Sequence, residues 1–120
     1  MLVGLGTDLV ELAQIAATTD LAVPEVFLTA NEAAAVAAAP NPVARLAAAF
    51  AAKEAFFKAL AVQEGFHWTD VELLHDGAGR PRLGLHGPLA QRFAEQGLQA
   101  WVSLSHAAGL VTAVVALEAR

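Results

Sequence analysis

No cysteine occurs among the 120 residues, which excludes disulfide frameworks, zinc–cysteine sites and thiol catalysis together and leaves the redox compartment open. Charge is also scarce, at 16% Asp, Glu, Lys and Arg, against about 25% in average chains. Hydrophobic residues make up 57%, a composition that excludes intrinsic disorder. Basic residues are missing altogether from positions 1–44, where Asp8, Glu11, Asp20, Glu25 and Glu32 stand alone. Residues 45–120 carry seven acids and seven bases, so the whole net charge of −5 belongs to the first third. With no basic stripe, binding to a nucleic-acid backbone or an anionic membrane is not expected, although a single phosphate ligand remains compatible.

A basic leader segment is absent as well: residues 1–7 run straight into Asp8 and Glu11, so no signal peptide and a cytoplasmic location are expected. The 22 residues from Gln96 to Leu117 hold no Asp, Glu, Lys or Arg, about the length of a membrane span. Polar residues at Ser103 and Ser105 alternate there with Val102 and Leu104, and Gly97 and Gly109 interrupt the run, so it reads as a buried hairpin. Length fits a single domain over 1–120. Twenty-nine alanines favour helix while adding little core volume, and the apolar excess points to a buried subunit interface.

Periodicity and punctuation give the element order. Met1 to Leu5 reads as a buried strand, Gly4 to Asp8 as a tight turn, and Leu9, Leu12, Ile15 and Ala16 as a helix ending near 18–20, with Pro24 marking a break. Thr29 or Asn31 caps an alanine-rich helix over 31–39, stopped by Pro40-Asn41-Pro42. The clearest long helix spans 43–60, with Leu46, Phe50, Phe57 and Leu60 at four-, seven- and three-residue steps. Strands over 70–75 and 82–86 flank the turn 76–79, a short helix over 88–96 ends at Gly97, and strands over 100–106 and 111–117 close the chain.

Three constellations carry chemistry. In Gly4-Leu5-Gly6-Thr7-Asp8-Leu9-Val10-Glu11 the third glycine of a dinucleotide fingerprint is missing. Asp8 and Glu11 have the spacing of a capping box, and Asp8 on a turn also suits a hard cation such as magnesium. In Lys53-Glu54-Ala55-Phe56-Phe57-Lys58 the Glu54/Lys58 pair has i,i+4 spacing for an ordinary surface ion pair. Yet these charges interrupt an otherwise apolar helix, as a carboxylate for a metal and an ammonium for a phosphate would. In Val102-Ser103-Leu104-Ser105-His106, neighbouring strand residues face opposite ways, which disfavours a Ser-His nucleophile pair. His106 reads either as a phosphate donor or as a satisfied strand-end histidine.

Together with Phe50-Ala51-Ala52-Lys53-Glu54-Ala55 and Gly79-Arg80-Pro81, these motifs occur in the order and spacing of holo-acyl-carrier-protein synthase, and the chain resembles this group of 4'-phosphopantetheinyl transferases from residue 1 to about 118. The resemblance implies an α+β fold with an antiparallel sheet packed on a long helix, assembled as a homotrimer with active sites between protomers. It implies transfer of 4'-phosphopantetheine from coenzyme A to a serine of an apo acyl carrier protein in fatty acid biosynthesis, releasing adenosine 3',5'-bisphosphate. By the same resemblance Asp8 and Glu54 are magnesium ligands, Asp8, Glu54 and Lys58 are catalytic, and Lys58, His106, Arg45, Gly65 and Phe50 contact coenzyme A; Lys53 is left without a role.

Three departures from the family pattern stand out. Ala49 replaces the usual arginine before Phe50, with Arg45 one helical turn earlier. The glycine-rich segment after the lysine helix is reduced to Ala61-Val62-Gln63-Glu64-Gly65, and no arginine follows the first motif to dock an acidic carrier. The expected partner is accordingly the carrier domain of a multifunctional, type I fatty acid synthase, met through apolar contacts. The alternative from another class is a catalytically silent trimeric assembly protein of the same fold.

Overall fold

The computed structural model describes residues 1–18, 26–61 and 65–120. The predicted break at Pro24, the far end of the first helix at Asp20, and positions 62–64 of the reduced glycine segment lie outside the described residues. The elements run β1 (Leu2–Glu11), α1 (Leu12–Ala16), α2 (Ala30–Ala38), α3 (Pro42–Leu60), β2 (Val71–His75), β3 (Pro81–Leu85), α4 (Gly87–Gln96), β4 (Leu98–Ala107) and β5 (Leu110–Ala119). An antiparallel sheet in the order β1-β5-β4 packs one face on α3, and β2-β3 forms a separate hairpin. This is the expected α+β arrangement.

Local chemistry explains the helices. Thr29 caps α2 in a full capping box with Glu32, and Asn41 caps α3 ahead of Pro42 at the first helical position. Gly97, at φ +62°, ends α4 in the left-handed conformation that glycine adopts without a Cβ penalty. The closing hairpin turns through Ala108 and Gly109, both at positive φ, between the paired residues Ala107 and Leu110.

The start of the chain differs from the sequence reading. Gly4 to Asp8 is not a turn, and no helix begins at Leu9: β1 runs ten residues and pairs with β5 from Gly4↔Leu117 through Glu11↔Leu110. Because this pairing joins residues 99 to 116 positions apart, local helical spacing of Leu9, Leu12 and Ile15 was overridden by tertiary context. Asp8 and Glu11 form no capping box, since Asp8 sits inside a strand and α1 starts without a side-chain cap. The closing hairpin is buried on one strand only: Val111, Ala113, Val115 and Leu117 of β5 are in the core, while β4 is an edge strand with an exposed outer face.

The two glycines of β1 serve helix packing. A Cβ on Gly4 would overlap the Ala59 carbonyl oxygen, and one on Gly6 would overlap the Ala55 carbonyl oxygen and approach Ala59 N to 2.7 Å. Strand backbone therefore lies directly on helix backbone, with Ala51, Ala52 and Ala55 fully buried along the contact. Gly6→Ala is expected to lower unfolding free energy in urea titrations by about 1–3 kcal/mol or more through overpacking. Gly77→Ala, where an added Cβ meets nothing within 4 Å, is the control expected to stay near wild type.

Candidate active site

The strand–helix contact sets two carboxylates and an ammonium side by side. Asp8 shares the inward face of β1 with Gly4 and Gly6, as the period of two dictates. Glu54 and Lys58 immediately precede Ala55 and Ala59, the two helix residues that the glycines touch. Lys58 Nζ donates to Asp8 Oδ1 at 3.0 Å and to the Thr7 carbonyl at 3.1 Å. The i,i+4 surface pair between Glu54 and Lys58 is not what forms; Lys58 crosses to the strand instead.

Charge at this point is unbalanced. Asp8 Oδ2 is buried without a hydrogen-bond partner, an arrangement that costs free energy unless something fills it. Burial and the neighbouring Asp8 charge push the Glu54 carboxyl above its ordinary value, against the opposing pull of Lys58. One half-exposed ammonium thus faces two carboxylates. An orphaned oxygen beside a second, electrostatically strained carboxylate fits a hard divalent cation, and magnesium characteristically takes one or two carboxylates and completes its shell with water and substrate phosphate. Among the described residues no cluster of three or more His, Asp or Glu could form an all-protein cage.

The other predicted site residues fall into two groups. Phe50 shares a small cleft with Asp8, beside Gln14 and Thr18, and packs on Phe27 with ring centroids 5.7 Å apart. Arg45 and His106 meet in a larger cleft of about 820 Å³, formed by the first turns of α3, the end of β4 and the loop before β3. His106 also borders a shallow pocket with Leu9 and Thr112. Gly65 lies beyond α3 at φ +86° with open space where a Cβ would be. Ala49, where the family pattern has arginine, is buried, and Arg45 one helical turn earlier lines the larger cleft.

Lys53, the residue without an assigned role, is a structural tie. Its ammonium is fully buried, 2.6 Å from Glu32 Oε1, and also donates to the carbonyls of Phe27 and Trp68. Glu32 in turn accepts from the Thr29 and Leu73 backbone N–H groups, so α2, α3 and β2 meet on one ion pair. Burial pulls the Lys53 ammonium below the ordinary lysine value, and the Glu32 carboxylate opposes that shift. Beside it, Thr29 donates to Glu72, which contacts His86 Nε2 at 3.1 Å. Sequence spacing could not show this: Glu32 and Lys53 are 21 positions apart, and Lys53 and Glu54 differ only in helix face.

A family model for the 4'-phosphopantetheinyl transferase superfamily matches residues 4–115. The holo-[acyl-carrier-protein] synthase of Streptomyces avermitilis is 54% identical over 77 residues, an alignment that spans 63% of this chain and 63% of that relative. The corresponding protein of Streptomyces griseus is 38% identical over 121 residues, covering 98% of this chain and 99% of its own. Among solved structures, a holo-(acyl-carrier-protein) synthase from Bacillus anthracis in complex with CoA (3',5'-ADP) superposes with a TM-score of 0.83 at 29% identity, over 100% of this chain and 99% of that one.

Two measurements check the charge assignments. Lys53→Met strands Glu32 in the core and is expected to cost about 3–5 kcal/mol by urea unfolding, with the Lys53→Met/Glu32→Leu double variant recovering most of the loss. Glu54 has a folded pKa above its unfolded value near 4.5, so its ionisation opposes folding as pH rises through the folded value. Glu54→Gln should therefore raise the melting temperature of the metal-free protein at pH 7, and the gain should vanish below the unfolded value.

Proposed function

The chain belongs to the 4'-phosphopantetheinyl transferase superfamily, and from that premise we propose that it transfers 4'-phosphopantetheine from coenzyme A to a serine of an apo acyl carrier protein. The observation that carries this reading is the pairing of Asp8, with its orphaned oxygen, against Glu54 and Lys58 across the β1–α3 contact. Support comes from relatives that are holo-[acyl-carrier-protein] synthases along nearly their whole length and from a CoA-bound neighbour of the same fold. The silent assembly protein has no observation in its favour.

In this reading the serine hydroxyl gives its proton to water as its oxygen bonds to the phosphorus next to pantetheine, and the phosphorus–oxygen bond to adenosine 3',5'-bisphosphate breaks, the bridging oxygen leaving with the bisphosphate. Such a transfer depends chiefly on positioning and on neutralising charge. Asp8 and Glu54 would hold magnesium, which when bound offsets negative charge on the diphosphate. Lys58 has a half-exposed ammonium on a flexible stem, and it turns from Asp8 to the oxygen that leaves with the bisphosphate. Phe50 and Ile15 keep the Asp8 cleft apolar on one side, which strengthens these electrostatic contacts. Arg45 and His106 hold the nucleotide from the larger cleft, and Gly65 leaves room beside the end of α3.

Within one protomer the two groups line separate clefts. A homotrimer that sets one protomer's His106 against its neighbour's Asp8 would unite them. Its interface is the outer face of the β1-β5-β4 sheet, where Leu5, Leu9, Trp101 and Val114 are exposed. The first 44 residues carry five acids and no Lys or Arg, which favours a carrier domain of a type I fatty acid synthase over a free acidic carrier. No helix among the described residues is long and apolar enough to cross a membrane.

Intact-mass measurement after incubation with coenzyme A, magnesium and apo carrier tests the reading: one phosphopantetheine should be added per carrier, and chelation should stop it. Glu54→Gln and Lys58→Ala should each lower the rate by about 10²–10³-fold while the oligomer persists, as removal of single charge-stabilising groups does elsewhere. No addition by the wild-type protein to either a free carrier or an excised synthase domain would refute the transferase. A higher kcat/KM on the free acidic carrier at low salt would refute the partner preference alone.

A further inference from the structure

β1 is an edge strand: in the order β1-β5-β4 only β5 pairs with it. Two side chains add to that pairing at Asp8. Lys58 Nζ reaches the Thr7 carbonyl at 3.1 Å and Asp8 Oδ1 at 3.0 Å. From β5, the Thr112 hydroxyl donates to the Asp8 carbonyl oxygen at 3.0 Å, a bond between residues 104 positions apart. Thr112 is the only residue of β5 with a hydroxyl, and it is paired with Leu9, the residue after Asp8. No motif marks it.

The two contacts differ in stiffness. Lys58 is half-exposed on a long flexible stem, and in the transferase reading it leaves Asp8 for the departing oxygen. Thr112 is branched at Cβ, which restricts its χ1 and so the direction of its hydroxyl. Its neighbours Val111 and Ala113 are sealed in the core. β5 is also the central strand and lies against α3, so this hydroxyl is carried by an element held on both edges and one face.

The carboxylate itself has no second anchor. Among the described residues, Lys58 is the only hydrogen-bond partner of the Asp8 carboxylate, because Oδ2 has none. Once Lys58 turns to substrate, the place of that carboxylate depends on the backbone that carries it. Resting on the transferase reading, we propose that Thr112 is a positioning residue for the transfer. Its hydroxyl fixes the β1 backbone at Asp8, so the carboxylate keeps its place beside Glu54 while Lys58 moves. Positioned groups are sensitive to such support, since a displacement of about 1 Å can cost about 100-fold in rate.

Thr112→Val removes the hydroxyl while keeping the branched shape and a strong strand preference, and Thr112→Ser keeps the donor. The measurements are kcat and KM for coenzyme A with apo carrier, melting temperature, oligomer mass, and binding of manganese(II) to the carrier-free protein by electron paramagnetic resonance. Manganese serves as a spectroscopic stand-in for magnesium on carboxylates. Thr112→Val should lower kcat about ten-fold, the scale of one hydrogen bond, with KM for coenzyme A, melting temperature and oligomer mass unchanged. Manganese should bind it more weakly, and Thr112→Ser should recover most of both losses. Wild-type kcat and manganese affinity in Thr112→Val would overturn the proposal. So would a loss that Thr112→Ser does not relieve, or one that follows melting or dissociation of the oligomer. If the wild-type protein modifies no carrier, the transferase reading falls, and the manganese affinities of the two variants decide the positioning role alone.

Discussion

The close approach of β1 to α3 is the contact on which the candidate site depends. Gly4 and Gly6 bring strand backbone onto the carbonyls of Ala59 and Ala55, a separation that no side chain larger than hydrogen permits on the strand. Strand period then sets Asp8 on the same face, and helix numbering sets Glu54 and Lys58 next to the contacting alanines. Asp8 and Lys58 meet at 3.0 Å although 50 positions separate them. The high alanine content, which in isolation looks like weak core material, is what lets the sheet lie this near the helix.

A second constraint fixes the helix from its other side. Lys53 and Glu54 are neighbours with opposite surroundings: one ammonium is sealed in the core on Glu32, while the adjacent carboxylate faces Asp8. A buried pair of this kind is weak as a source of net stability but costly to break, and its use is to specify one arrangement. Here it joins α2, α3 and β2 through the residue next to Glu54.

Much of the architecture was legible because its signals are local. Thr29, the Pro40-Asn41-Pro42 stop, Gly97 and Gly109 mark boundaries that the structure keeps within one or two residues. The 76–79 turn likewise separates β2 from β3 as read. What was misread depends on partners distant in sequence. Leu9 and Leu12 have helical spacing, but β5 extends β1 through Glu11, and glycines that suggest a turn serve a helix contact instead. Of the site, Asp8, Glu54 and Lys58 were found through motifs and are brought together. No motif marked His75, whose buried Nδ1 without a hydrogen-bond partner only tertiary structure reveals.

Exposed Leu5, Leu9, Trp101 and Val114 lie on the face of the sheet opposite α3, while the inner face carries the contact that sets Asp8 beside Lys58. On the proposed function, the glycine-mediated contact does more than hold the fold: it sets Asp8, Glu54 and Lys58 for the transfer. The most direct test is carrier modification by Gly6→Ala, measured by intact mass at a temperature where circular dichroism shows the variant folded. The expected result is a folded protein whose transfer rate has fallen by at least about 100-fold, the scale of displacement effects on positioned groups. Wild-type transfer by folded Gly6→Ala would contradict it.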